Sequence, residues 1–422
     1  MHLIVFSTVL TPRIKYIFNF IFKDILKAEV EFTGNSQYFL ESPQARISYG
    51  EKPLADELFF KSSALLFSNK VEDLNIKTTS FGGYLAPFPV SDSPFPFDVF
   101  AASFFIVSRY EEYLHQKNTE EDFRAGKSLQ NKWKILDRPI IDEWAMIIKN
   151  LIRTKNPDFR FHEKPFIQQP TINFNVVPSA PQGFINQGKF LLNSFFNKEN
   201  KFLTNKFDQL TGLEVKTNEV LFALDKTFEK TRTSPVFFIA FPNITENYIS
   251  LNGFSKMLSR RPVGLLRPCA NDKQKIGDIK EGLQKLKRVL PEQVNLNSQQ
   301  LEVLKFPICY LNLLSSGVSV DYSMGYYETA GFRAGTCTPF NWYDLQLEKV
   351  TPLVIKSYCL SDFVLQYLST EVIKSMIGYY INAVKVVNGS LFSSWQLRSV
   401  SDHLKYKKLS TAFKEMLIET AN

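Results

Sequence analysis

Hydrolytic and group-transfer chemistry needs carboxylates, imidazoles or thiols held at fixed spacing, and this chain is sparing with them. It has four histidines: His2, His115, His162 and His403. The first three lie in or beside the first 165 residues, and His403 directly follows Asp402. Such an Asp-His pair could serve as a base with its orienting carboxylate, or could open a helix with Asp as the cap and the imidazole exposed. Asp321 and Asp362 each close a short apolar run. Either could act as a base, cap a helix or pair with Arg333, and pairing is the expected role. Arg333 sits in "GFRAGTCTPF", among glycines and aromatics. It could clamp a carboxylate or sugar hydroxyls, or hold loop carbonyls. No paired carboxylates suited to acid–base work, no His/Asp set with metal-ligand spacing and no phosphate-binding or nucleophile-elbow motif stands in a suitable context.

These residues need elements to hold them, and two units are expected in a chain of 422 residues. Residues 1–165 read as a small mixed α/β domain. "HLIVFST" and "AEVEFTG" are strand candidates. A helix from Pro12 to Leu26 carries Arg13, Lys15 and Lys23 on a basic face that packs on a core or touches a membrane surface. "FDVFAASFFIVSRYEEYL" and "DEWAMIIKNLIRTKNP" have helical period, the second stopped at Asn156-Pro157.

Residues 166–422 alternate apolar runs with helices. The runs are "TINFNV", "PVFFIAF", "VGLL", "QVNLNSQ", "VSVDYS", "LVIKSYCL" and "SLFSSW". Alternation of this kind predicts a parallel sheet, and seven runs predict a distorted seven-stranded (β/α) barrel. Function then belongs at the C-terminal strand ends. The rim so defined holds Asn173, Asn175, Leu266, Arg267, Gln299, Gln300, Asp321, Arg333, Asp362, Trp395 and Gln396. The segment 180–232 exceeds one crossover and reads as an additional helical excursion.

The net charge of +8 mildly favours acidic partners, but no dense basic run supports nucleic-acid binding. Cys269, Cys309, Cys337 and Cys359 show no C-x-x-C spacing. Reduced thiols and a cytoplasmic location are therefore expected. No run of apolar residues is long enough for a membrane span, and the N-terminal stretch lacks the basic start of a signal peptide.

Several phrases together resemble the bacterial polysaccharide deacetylases, carbohydrate esterases with a distorted barrel, in a subgroup with an additional N-terminal domain. The phrases are "SYGEKPLADELFF", "FPFDVFAASFFIVSRYEEYL" and "RPIIDEWA", then "DYSMGY", "GFRAGTCTPFNWYDL" and "WQLRSVSD". The resemblance implies removal of acetyl from an N-acetyl sugar. A divalent metal such as zinc, held by one Asp and two His, would activate water, with a second Asp as base and another His as acid.

The chain departs from that pattern where it matters. Asn173 and Asn175 stand where two aspartates are expected. Leu266 or Arg267, then Ser298 and Gln300, and then Gln396 stand where the resemblance implies histidine or arginine. The implied reading is a deacetylase-like protein without metal or turnover, binding a glycan or glycan precursor in a pocket of Asn173, Asn175, Leu266, Arg267, Gln300, Asp321, Arg333, Asp362, Trp395 and Gln396, or pairing with an active relative. Two alternatives stand beside it. One is an active deacetylase with atypical residues, using Asp321, Asp362 and His403. The other is an anionic-polymer binder.

Overall fold

A computed structural model of the chain describes residues 2–119, 121–175, 217–240, 258, 260–267, 276–290, 295–299 and 304–421. In the N-terminal segment four strands, β1 (Leu3–Phe6), β2 (Val30–Thr33), β3 (Ala45–Gly50) and β4 (Leu58–Lys61), form a parallel sheet in the order β2-β1-β3-β4. An antiparallel pair, β5 (Thr78–Phe81) and β6 (Tyr84–Pro87), stands apart from it.

The first helix starts as its sequence dictates. Thr11 caps it by accepting from the Ile14 amide, and Pro12 opens the first turn, where no amide is needed. It does not run on to Leu26 as one α-helix. It is α-helical over Pro12–Asn19 and π-helical over Phe20–Ile25. Nor is its basic face intact, because Arg13 is fully buried.

"FDVFAASFFIVSRYEEYL" also divides. Asp98 caps Val99–Val107, Arg109 takes a left-handed φ of 56°, and Tyr110–Asn118 begins a new helix. Every residue of Val99–Val107 is buried, as a helix apolar on all sides requires.

A nine-stranded sheet carries the second half. Its strands are β7 (Ile167–Asn175), β8 (Val236–Ala240), β9 (Val263–Arg267), β10 (Leu296–Gln299), β11 (Val320–Asp321), β12 (Phe340–Asp344), β13 (Lys349–Ile355), β14 (Leu360–Ser361) and β15 (Ser390–Gln396). The order is β12-β13-β11-β10-β9-β8-β7-β15-β14, and every pairing is parallel except β12 with β13. This corrects the expected seven-stranded barrel: among the described residues the ladder is open, with β12 and β14 at its edges. "LVIKSYCL" is not one strand but the end of β13, a link and β14, and β12 lies within a stretch that carries no strand signal.

The sheet is nonetheless strongly curled. Tyr322 and Gln169 flank strands four spacings apart, about 19 Å on a flat sheet, yet the Tyr322 hydroxyl donates to Gln169 Oε1 at 3.0 Å. Only four residues, 356–359, join β13 to β14, a span of roughly 18 Å at most. Seven flat spacings would separate these strands by roughly 34 Å.

Side chains alternate between the two faces. The concave face packs Val236, Phe238, Ala240, Leu266, Tyr322 and Phe392 into a small core of its own. On the convex face Ile172, Phe237, Ile239, Leu265, Leu353, Ile355, Leu391 and Trp395 join the main core. Helices Ile276–Val289 and Thr370–Val386 belong to that side, with Ile279, Leu283, Leu286, Ile373, Ile377 and Ile381 buried. Ser369 caps the latter helix by accepting from the Val372 amide. Of the excursion expected over 180–232, the described part is the helix Thr217–Thr231.

Candidate functional site

Alternation sorts the candidate residues before any distance is needed. In register, Gln396 sits beside Asn173, Ser394 beside Thr171, and Ser361 beside Ser394. These side chains share the concave face with Leu266. Arg267, Asn297, Asp321 and Trp395 fall on the opposite face: Asn297 is in register with Leu265 and Asp321, Arg267 with Gln299, and Trp395 with Ile172. The expected pocket is therefore split by the sheet itself.

On the convex side Asp321 is fully buried in a polar network. Its Oδ1 accepts from Asn297 Nδ2 at 2.6 Å and from Ser323 Oγ at 2.7 Å, and its Oδ2 accepts from the Ser323 amide at 3.0 Å and from the Tyr310 hydroxyl at 3.3 Å. Arg267 Nε donates to Asn297 Oδ1 at 2.7 Å. Burial raises the Asp321 carboxyl above its ordinary value, and these donors only partly offset it. A raised folded-state value contributes stability that is complete below 3.8 and declines as pH rises through the folded-state value. Asp321→Asn, which cannot titrate, is expected to lose that part of the pH slope. Urea midpoints taken from 3.8 upward to neutrality would show it, and identical slopes would contradict it.

Arg333 is not on the rim, and neither Asp321 nor Asp362 is its partner. It is buried, donating to Glu112 Oε1 and Oε2 at 2.9 and 2.5 Å and to the Gly325 carbonyl at 3.0 Å. Arg109 Nε donates to the same carboxylate at 2.8 Å. The whole stretch that carries Arg333 is strapped to the N-terminal segment. Gln130 Nε2 donates to the Phe332 carbonyl, the Ala125 amide to Glu328, and the Ile141 amide to the Gly335 carbonyl. Thr336, Cys337 and Thr338 all donate to Asp142. The two glycines of "GFRAGT" answer to this close approach. At Gly335, with φ +66°, a Cβ would stand 2.5 Å from Ile106 Cγ2. At Gly331, with φ +152°, it would stand 2.9 Å from the Leu136 carbonyl oxygen.

Trp395 is likewise interior, its Nε1 donating to Ser393 Oγ at 3.0 Å and its ring edge-on to Phe413. His403 and Asp402 do not form a dyad. His403 Nδ1 accepts from the Lys405 amide as the cap of a short turn, and Asp402 pairs with Lys414 at 2.6 Å. Gln300 lies outside the described residues, as does the side chain of Asn175. Cys337 and Cys359 are free thiols.

What converges is a smaller set at the C-terminal ends of β7, β14 and β15. Asn173 Nδ2 donates to Ser394 Oγ at 2.9 Å, while its Oδ1 is buried without a partner. Ser361 Oγ is also buried without a partner. Asp362 Oδ2 accepts from the Gln396 amide at 2.8 Å. Burial raises the Asp362 carboxyl, offset by hydrogen bonds from Ser399 and the Gln396 amide and by the charge of Arg398. Ser361 and Ser394 were not singled out in the sequence; their alternation with buried residues at strand ends was the available signal.

Lys356 was missed as well, although a lysine inside "LVIKSYCL" is a visible oddity. It lies on the concave face, donating to Gln169 Oε1 at 3.1 Å and to the Tyr322 hydroxyl at 3.0 Å, over the rings of Tyr322 and Phe392.

The described residues do not fit the zinc that the resemblance implies. An amide stands at Asn173, no histidine lies between His162 and His403, and among the described residues no three His, Cys, Asp or Glu side chains come together as metal ligands. No helix among the described residues is long and apolar enough to cross a membrane.

Residues 3–157 match the model of a family of unknown function, DUF7033. No curated protein matches the chain. Among solved structures, one provisionally described as a polysaccharide deacetylase, from Mycobacterium smegmatis, is similar with a TM-score of 0.38 at 10% identity, covering 62% of this chain and 86% of that one. BA3943, a CE4 family pseudoenzyme from Bacillus anthracis, is similar with a TM-score of 0.31 at 8% identity, over 62% of this chain and 64% of that chain. By its own geometry the chain is an α/β protein with a curled, largely parallel sheet and an amide- and hydroxyl-lined strand-end site.

Proposed function

We propose that this chain is a deacetylase-like protein that binds a neutral, hydroxyl-rich ligand, of the glycan or glycan-precursor class, and does not hydrolyse it. The observation that carries the reading is Asn173. An amide there keeps the shape of a carboxylate but cannot act as a base. Its Oδ1, buried and unpartnered beside Ser394, calls for a donor. A buried acceptor left unmet costs about 1–3 kcal/mol, which a sugar hydroxyl or N–H would recover. Ser361 Oγ on the same face supplies a second unmet group that can donate or accept. Among the described residues no general base stands free at this site: Asp321 faces away and Asp362 accepts from the Gln396 amide.

The experiment is acetate release from N-acetylglucosamine oligomers with zinc supplied, alongside metal content after purification. The expected result is no acetate above background and less than stoichiometric zinc. Steady acetate release with one zinc per chain would overturn the proposal and restore the reading of an active deacetylase with atypical residues.

A further inference from the structure

A run of aromatic rings continues the strand-end site outward. Ser361 closes β14, and Asp362 and Phe363 follow it in the chain. Phe363 meets Tyr327 with 6.0 Å between ring centroids and Tyr367 with 6.3 Å, the planes 72° and 84° apart. Tyr327 belongs to the loop after β11, so the run joins loops from opposite halves of the strand order. Hydrogen bonds fix that seam: the Gly331 amide donates to the Cys359 carbonyl at 2.9 Å, and Ser357 Oγ to the Met324 carbonyl at 2.6 Å. Core packing does not account for the rings. Tyr367 is 77% exposed, and Tyr327 and Phe363 are only half-buried. Single surface aromatics are ordinary, but a contiguous exposed run marks a place of contact.

Distance and chemistry indicate what would lie there. Asn173 on β7 and Ser361 on β14 are two strand spacings apart, about 10 Å, and the rings follow Ser361 in the chain. One sugar ring is too short to touch both Asn173 and Tyr367, whereas several joined units are long enough. An aromatic face is electron-rich and attracts the positive edge of C–H groups. A pyranose offers C–H groups on its faces and hydroxyls around its rim, so it can stack on such rings while the rim meets amides and hydroxyls. Phenylalanine and tyrosine add no charge, in keeping with a neutral ligand. We propose that Tyr327, Phe363 and Tyr367 are a stacking platform for further units of a glycan chain whose first unit lies at Asn173 and Ser361, so that the ligand is an oligomer rather than a single sugar; the proposal rests on the glycan reading of the strand-end site.

The test is calorimetric titration of N-acetylglucosamine and of its tetramer into the whole chain and into Tyr367→Ala, with Asn173→Leu alongside. Wild type is expected to bind the tetramer at least about tenfold more tightly than the single sugar. Tyr367→Ala should bring that ratio to within about threefold, and Tyr367→Phe, which keeps the ring, should preserve it. Tyr367 is exposed, so Tyr367→Ala is expected to keep the wild-type unfolding midpoint, and Tyr367→Gln serves if it does not. Equal binding of single sugar and tetramer by wild type, or an unchanged ratio in the folded variant, would overturn the platform and leave the strand-end site standing. Failure of wild type to bind either sugar, or equal binding by wild type and Asn173→Leu, would remove that site and the platform with it. Self-association of wild type in sedimentation that Tyr367→Ala abolishes would assign the rings to a second copy of the chain and also overturn the platform.

Discussion

Glu112→Gln is expected to destabilise the folded chain by about 3–5 kcal/mol, the cost of leaving buried charges without their partner. Glu112 has no exposed side-chain surface and is held between Arg333 and Arg109. Burial alone would raise its carboxyl, but Arg333 and then Arg109 outweigh burial and hold it below the ordinary value. Removing the charge strands the Arg333 guanidinium, about 1% exposed, while Arg109 keeps its pairing with Glu111 at 3.1 Å. Because the folded-state value is lowered, the stability contributed by Glu112 is present above 4.5 and is lost as pH falls through the folded value. Denaturant titration at neutral pH measures the loss. The gap between wild type and Glu112→Gln should narrow on acidification, and a gap of under about 1 kcal/mol at neutrality would show the pair to be no better than a surface one.

Asp142→Ala is the second large effect, at about 3 kcal/mol or more for a buried acceptor removed from several donors. Its carboxylate accepts from Thr336 Oγ1 at 2.5 Å, Thr338 Oγ1 at 2.6 Å and the Cys337 amide at 3.1 Å. It thus ties the first turn of helix Ile140–Lys155 to the strap. Since Asp142 and Glu112 hold the same strap, the double variant should fall short of additivity. Thermal and urea unfolding of the two single variants and the double test this, and full additivity would separate the two anchors.

Much of the second sheet was legible because buried parallel strands read as plain apolar runs: "PVFFIAF" and "VGLL" became β8 and β9 almost as written. β12 was not, because "FNWYD" mixes polar residues into a run whose partner is the adjacent hairpin strand. The break at Arg109 and the π-turn at Phe20 were equally hidden, since neither carries a Gly or Pro to mark it. The site was only half readable. Residue types at strand ends pointed to Asn173 and Gln396, which register does bring together. They could not say that Asp321 and Trp395 face the other way, because one residue of register decides the face. Arg333 was misplaced for a different reason: its partner Glu112 lies 221 residues away, and nothing local announces it.

Recognition of a neutral, hydroxyl-rich ligand at the strand-end site around Asn173 would run through its unmet amide and hydroxyl. Calorimetric titration of an N-acetylglucosamine tetramer into wild type and into Asn173→Leu tests it most directly, with unfolding midpoints confirming that both chains are folded. Measurable binding to wild type is expected, with little dependence on salt and affinity at least about tenfold weaker in the variant. No binding to wild type, or equal binding to both chains, would contradict it.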